Sequence, residues 1–143
     1  VSGFDKELEV VHGVCHTELE GTLGLNVRYE DLPPPWKGGQ TPDEWVHVYV
    51  VSGEGRKVSI GQWGSGQAQR RRYVGIVRFN IYYPRGKDAS RGRKIADLIA
   101  PFFQDQNIGG LSFKTAGVRG GPRDVTGKST LGLVIAFERD EIG

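Results

Sequence analysis

Residues 69–84 read Gln-Arg-Arg-Arg-Tyr-Val-Gly-Ile-Val-Arg-Phe-Asn-Ile-Tyr-Tyr-Pro, and they constrain the fold more than any other stretch. Tyr73, Gly75, Val77, Phe79, Ile81 and Tyr83 alternate with Val74, Ile76, Arg78, Asn80 and Tyr82, the two-residue period of a strand. The first set carries no charged or amide side chain and faces a core. The second is mixed and suits partial cover, by a helix or by another chain. Pro84 ends the ladder because it has no N–H to donate. A strand this long, with one dry face, requires the rest of the chain to supply a sheet and something apolar to lay on it.

The remaining periodicities supply both. Phe4, Leu8, Val11, Cys15 and Leu19 make one helical stripe, opened by Ser2 or Asp5 and ended by Gly21. Leu23, Leu25, Val27 and Tyr29 alternate as a first strand. Trp45, His47, Tyr49 and Val51 alternate with Val46, Val48 and Val50 in a second, apolar enough on both faces for a central place. Residues 52–72 follow as a long glycine-rich β-arm or flexible loop. Asp88 or Ser90 opens a second helix whose stripe is Ile95, Leu98, Ile99, Phe102 and Phe103, with Pro101 kinking or shortening it. Leu111–Val118 and Leu131–Glu138 complete the strands, joined by a second glycine-rich loop. The order α-β-β-β-α-β-β predicts one α+β domain over residues 1–143: a single mixed sheet with two helices packed on it. Tyr73, Val77, Phe79, Ile81, Ile99, Phe102, Leu133, Ile135 and Phe137 are the expected core.

Of 143 residues 22 are glycine, roughly twice the usual ~7%. They cluster at 53–66 and 117–127, so the excess belongs to two local segments. The formal charge of +2 is too balanced to assert a nucleic-acid binder on its own. The single cysteine rules out an internal disulfide and most thiolate metal sites. No apolar run reaches the ~18 residues of a membrane helix, and no membrane partner is expected.

The motifs argue against catalysis. Residues 121–130, Gly-Pro-Arg-Asp-Val-Thr-Gly-Lys-Ser-Thr, nearly spell a phosphate-binding loop. Pro122 stands where the first glycine is needed, and a strand rather than a helix follows. His12 and His16 lie one helical turn apart, but no third ligand stands at a suitable spacing. His47 is alone on a strand, and the acidic pairs Glu30-Asp31, Asp43-Glu44 and Asp140-Glu141 sit beside turns or near the C-terminus. No catalytic residue, cofactor or metal is expected.

The basic residues point to partners instead. Arg70, Arg71 and Arg72 stand in a glycine-rich arm with Trp63, the composition of an interface hot spot. Arg85, Lys87, Arg91, Arg93 and Lys94 crowd the start of the second helix and read first as a solvated charge run, although the macrodipole disfavours cations there and the crowding hints at an acidic partner, protein or nucleic acid. The expected partner-contacting set is Trp63, Arg70, Arg71, Arg72, Arg78, Arg91, Arg93 and Arg123. The alternative is a nucleic-acid-binding module using the Arg70–Arg72 patch. Such modules project sheet aromatics outward, whereas most aromatics here fall on the face assigned to the core.

Tyr29-Glu30-Asp31, Thr41-Pro42 before Trp45-Val46-His47-Val48, Arg70-Arg71-Arg72-Tyr73 through Tyr82-Tyr83-Pro84, Gly109-Gly110-Leu111-Ser112-Phe113, and Val134 to Asp140 occur in a characteristic order. Over residues 27–140 that order resembles the tail terminator proteins of long-tailed bacteriophages. The chain departs from the pattern at Pro33-Pro34-Pro35-Trp36 and in having Asp31 where asparagine is usual. The resemblance implies a small α+β virion subunit forming a homo-hexameric ring. The ring would cap the head-proximal end of the tail tube and meet the tube protein on one side and the head-completion connector on the other. Genomic DNA would pass through its lumen, with assembly in the host cytoplasm.

Overall fold

The computed structural model describes residues 3–30, 32–36, 41–59, 70–86, 90–122 and 127–142. The fold is α+β, with two helices on one face of a single mixed six-stranded sheet. Helix α1 (Gly3–Val14) runs on into widened π-type turns over Cys15–Thr22, so helical structure ends where Gly21 marks it. Val11, Cys15 and Leu19 from the expected stripe are fully buried, whereas Phe4 and Leu8 are exposed.

The strands are β1 (Val27–Tyr29), β2 (Trp45–Ser59), β3 (Arg70–Pro84), β4 (Asn107–Ile108), β5 (Leu111–Gly120) and β6 (Lys128–Ile142), in spatial order β1-β2-β3-β6-β5-β4. β1 pairs parallel to β2, and every other pair is antiparallel. β3 and β6 are central, paired from Arg70 opposite Ile142 to Pro84 opposite Lys128. Helix α2 (Ser90–Ile99) crosses the same face as α1 and ends in a tight turn over Ala100–Phe102. Gly92 lets α2 approach β3 closely, because a Cβ there would stand 2.7 Å from the Tyr83 ring.

The core lies between helices and sheet. Val77, Phe79, Ile81, Ile99, Leu133, Ile135 and Phe137 are buried as the alternation predicts. Two expected core residues are not. Tyr73 and Phe102 are only partly buried, and Phe103 takes the deep position. Pro101 is the cause: it ends the regular helix at Ile99, and the tighter turn that follows rotates Phe103 inward onto Phe79 and Phe113.

Three further points concern the strands. The first strand is shorter than 23–29, because Leu23 and Leu25 use their N–H groups on the helix carbonyls of Glu18 and Leu19. The described part of the expected β-arm or loop, 52–59 and 70–72, is β-structure, continuing β2 and β3 as paired strands. Its glycines serve a bulge: between Ser52 and Gly55 the register shifts, and a Cβ on Gly53 would lie 2.1 Å from the Val74 carbonyl oxygen. Finally, β4 is a short extra strand formed where Asn107 and Ile108 pair back onto Ser112 and Leu111.

Candidate interaction surface

The described helices both lie on one side of the sheet. The other side presents rows of residues set by register. Trp45, Tyr82 and Thr130 form one row, and Arg28, His47, Asn80, Gly132 and Arg119 the next. Tyr49, Arg78 and Val134 follow, then Val51, Ile76 and Ala136, and then Val74 with Glu138. This mixed face thus divides into an aromatic and basic end, an apolar middle and a charged end.

At the first end Trp45 stacks on Tyr82, with ring centres 4.8 Å apart and planes 12° from parallel. Trp36, carried in by the proline segment, leans on Trp45 at 5.7 Å. The Lys128 ammonium sits 5.7 Å from the centre of the Trp45 ring and donates to the Asp43 carbonyl at 3.0 Å. Arg28, Trp36, Trp45, His47, Tyr82 and Lys128 line most of an open cleft of about 490 Å³. In the neighbouring rows Arg78 lies flat, donating from Nε to Asn80 Oδ1 at 2.8 Å and from Nη2 to the Gly120 carbonyl at 3.2 Å. Gly132 gives it room, since a Cβ there would stand 3.1 Å from Nη2.

In the apolar middle, Val51 and Val74 are 52% and 41% exposed, high for valines on adjacent strands of a sheet. Beyond them lies an ion-pair network. Arg72 donates to both carboxylate oxygens of Asp140, at 2.9 and 3.3 Å, and stands 3.1 Å from Glu138, which also takes Lys114 at 2.9 Å. The Lys114 hydrogen bond leads the effects that hold the Glu138 carboxyl below its ordinary value, and the Asp140 hydrogen bond leads those that raise Arg72.

The described members of the partner-contacting set expected from sequence lie apart from one another. Trp63, Arg123 and the Arg70 side chain lie outside the described residues. Arg71 is exposed at the far end of β3 and Arg72 is forked onto Asp140. Arg91 forks onto Glu44, with Nη2 to Oε1 at 2.6 Å, and so ties α2 to the start of β2, while Arg93 is exposed on α2. Only Arg78 joins the aromatic and basic end. Among the described residues, no three His, Cys, Asp or Glu side chains gather as a metal would require, and no helix is long and apolar enough to cross a membrane. Lys128, the lysine of the near phosphate loop, opens strand β6.

The group that sequence reading missed is the aromatic platform. Tyr82 projects outward on the mixed face as its alternation predicts, and Trp45 stands beside it, while most of the other described aromatics lie in the core. The alternation phases of Trp45 and Tyr82 were visible in the sequence; that they are directly opposite each other appears only with the β2–β3 register.

No family model and no curated protein matches the chain. Among solved structures, a protein without a functional name superposes with a TM-score of 0.62 at 15% identity, covering 97% of this chain and 96% of that one. At that identity the likeness concerns the fold alone.

Proposed function

We propose that the chain is a structural virion subunit of the tail-terminator kind, forming a ring that ends tail-tube polymerisation and joins the tail to the head connector. The observation that supports this best is the half-covered sheet. Both helices lie on one face, and the opposite face leaves the adjacent Val51, Val74, Ile76 and Ala136 without a helix over them. An exposed apolar patch rimmed by polar residues suits contact with another chain. A closed ring needs a head-to-tail interface, one patch meeting a different patch on the neighbour. The paired extension of β2, β3 and β6 towards Arg70 and Arg71 offers the second patch. The motif order over residues 27–140 adds the family resemblance.

Sedimentation of the purified chain, alone and with tail tubes, tests the reading together with an assay of tube growth. A ring that binds tube ends and stops elongation is the expected result. A monomer that leaves elongation unchanged would overturn it. The alternative module built on Arg70–Arg72 is less favoured by the same geometry, since Arg72 is already committed to Asp140.

A further inference from the structure

We propose that a second copy of the chain seats the exposed flank of its helix α1, Phe4 and Leu8, on the patch formed by Val51, Val74, Ile76 and Ala136, so that the helix side of one subunit meets the open sheet side of the next. This rests on the ring reading and names the two surfaces that meet.

The first observation is where exposed apolar side chains fall. Phe4 is 45% exposed and Leu8 36%, one turn apart on α1, while Val51 and Val74 are exposed on the open face. All four stand at the same end of the sheet. The Phe4 ring is edge-on to Tyr73, with centres 5.4 Å apart, and Tyr73 is the residue before Val74. Glu7, the residue before Leu8, accepts from the hydroxyl of Ser52, the residue after Val51. Successive strand residues point to opposite faces. The two apolar pairs therefore lie back to back across β2 and β3, one on each side.

The second is that these patches cannot serve each other within one copy, since the sheet stands between them. A two-fold dimer through either patch would leave the other uncovered on both subunits. Stacking the helix side of one copy on the open side of the next covers both with a single repeated contact. Such a heterologous contact closes into a ring when its rotation divides a full turn.

The third is the form of the two surfaces. The Phe4 ring is held against Tyr73, and its centre stands 5.1 Å from the Arg139 guanidinium. It has little rotamer freedom left to lose on association, which suits an interface anchor. On the receiving side the row of Val51, Ile76 and Ala136 ends in its shortest side chain.

The fourth is charge. Asp5, Lys6 and Glu9 are the exposed charges beside Phe4 and Leu8, and they sum to one negative charge. Arg72, Arg78, Lys114, Glu138 and Asp140 edge the valine patch and sum to one positive charge. Rims of opposite sign favour this pairing over like meeting like and fix its register.

The test is sedimentation velocity of the full chain and its variants, with circular dichroism of each. Val51→Glu with Val74→Glu spoils the receiving patch, and Phe4→Asp with Leu8→Asp spoils the inserted flank. Each double variant should be monomeric on its own. Mixed in equal amounts they should form a dimer and stop, because one intact flank then meets one intact patch and both remaining surfaces are spoiled. Leu8→Asp alone, at an exposed position, should keep the parent circular dichroism and weaken self-association at least tenfold. It takes the place of the helix double variant if that variant loses its fold. A parent chain that stays monomeric at every concentration would overturn the ring reading and this pairing together. A parent ring that survives the helix substitutions would overturn the pairing alone. So would a mixture that remains monomeric, or a helix variant that dimerises by itself.

Discussion

The guanidinium of Arg139 lies 2.5 Å from the carboxylate of Glu7, across 132 residues of sequence. Both side chains are at least 95% buried, at 5% and 1% exposure. Glu7 belongs to α1 and Arg139 to β6, so the pair fastens the start of the helix to the sheet. The Ser52 hydroxyl donates to the other Glu7 oxygen at 2.6 Å, and Arg139 Nη1 donates to Glu141 at 2.7 Å. The rings of Phe4 and Tyr73 both approach the guanidinium, at 5.1 and 4.2 Å. Replacing Glu7 with alanine leaves the buried Arg139 with Glu141 as its remaining carboxylate partner, and the expected loss is about 2–3 kcal/mol. The double change Glu7→Leu, Arg139→Met removes both charges and should recover most of it. Urea midpoints measure both; an unshifted midpoint in Glu7→Ala would show that the pair holds nothing.

Phe103 and Phe102 make a second test. Phe103 is fully buried, with ring centres 5.2 Å from Phe79 and 5.3 Å from Phe113. Phe103→Ala should cost about 3–5 kcal/mol, the range for a buried phenylalanine. Phe102→Ala, at a half-buried position, should cost clearly less. Equal thermal midpoints for the two variants would contradict the inward turn after Pro101.

His12 supplies a pH dependence. It packs on Tyr29 with ring centres 4.7 Å apart, and its Nε2 is buried without a partner among the described residues. Burial first, and then the nearby His16, holds its pKa below the ordinary 6.5. The unfolded chain therefore takes up this proton before the folded one as pH falls. The contribution of His12 to stability is complete above about 6.5 and is lost progressively below it, down to the folded value. Half-burial makes the effect modest. His12→Leu should flatten the slope of unfolding free energy against pH between 7 and 5 by the share due to this one proton. An identical slope in the variant would remove His12 as the cause.

The alternation of residues 73–83 and 45–51 was legible because each strand has one buried face, and a one-residue slip would turn that face to water. The apolar stripe of α1 was legible for the same reason. The glycine excess misled, since glycine marks loops and bulges alike. Gly53 and Gly55 are needed where β2 bulges against the Val74 carbonyl and the Tyr73 ring, a contact that exists only after β3 has paired. The arginines misled similarly. Arg72 and Arg91 read as available charges, yet their carboxylates, Asp140 and Glu44, lie 68 and 47 residues away. The aromatic cleft was hidden because it gathers Trp36, Trp45, Tyr82 and Lys128 from three separate stretches.

The last prediction concerns the apolar patch. Val51 and Val74 point away from both helices and are about half exposed. Neither fills the core, so Val51→Glu with Val74→Glu should change folding stability by about 1 kcal/mol or less. At an interface the same change buries two carboxylates opposite an apolar surface, which is costly unless they are paired. The double variant should therefore remain folded by circular dichroism while its sedimentation coefficient falls to that of a monomer. The control is Arg70, Arg71 and Arg72 changed together to alanine, which alters the far end of the hairpin and leaves the patch intact. If that variant also dissociates, both patches belong to the ring contact, as head-to-tail closure requires. If only the valine variant dissociates, the hairpin end is free for the tube or the connector. A double valine variant that sediments as the parent chain does would show that this face is not where neighbours of the proposed ring meet.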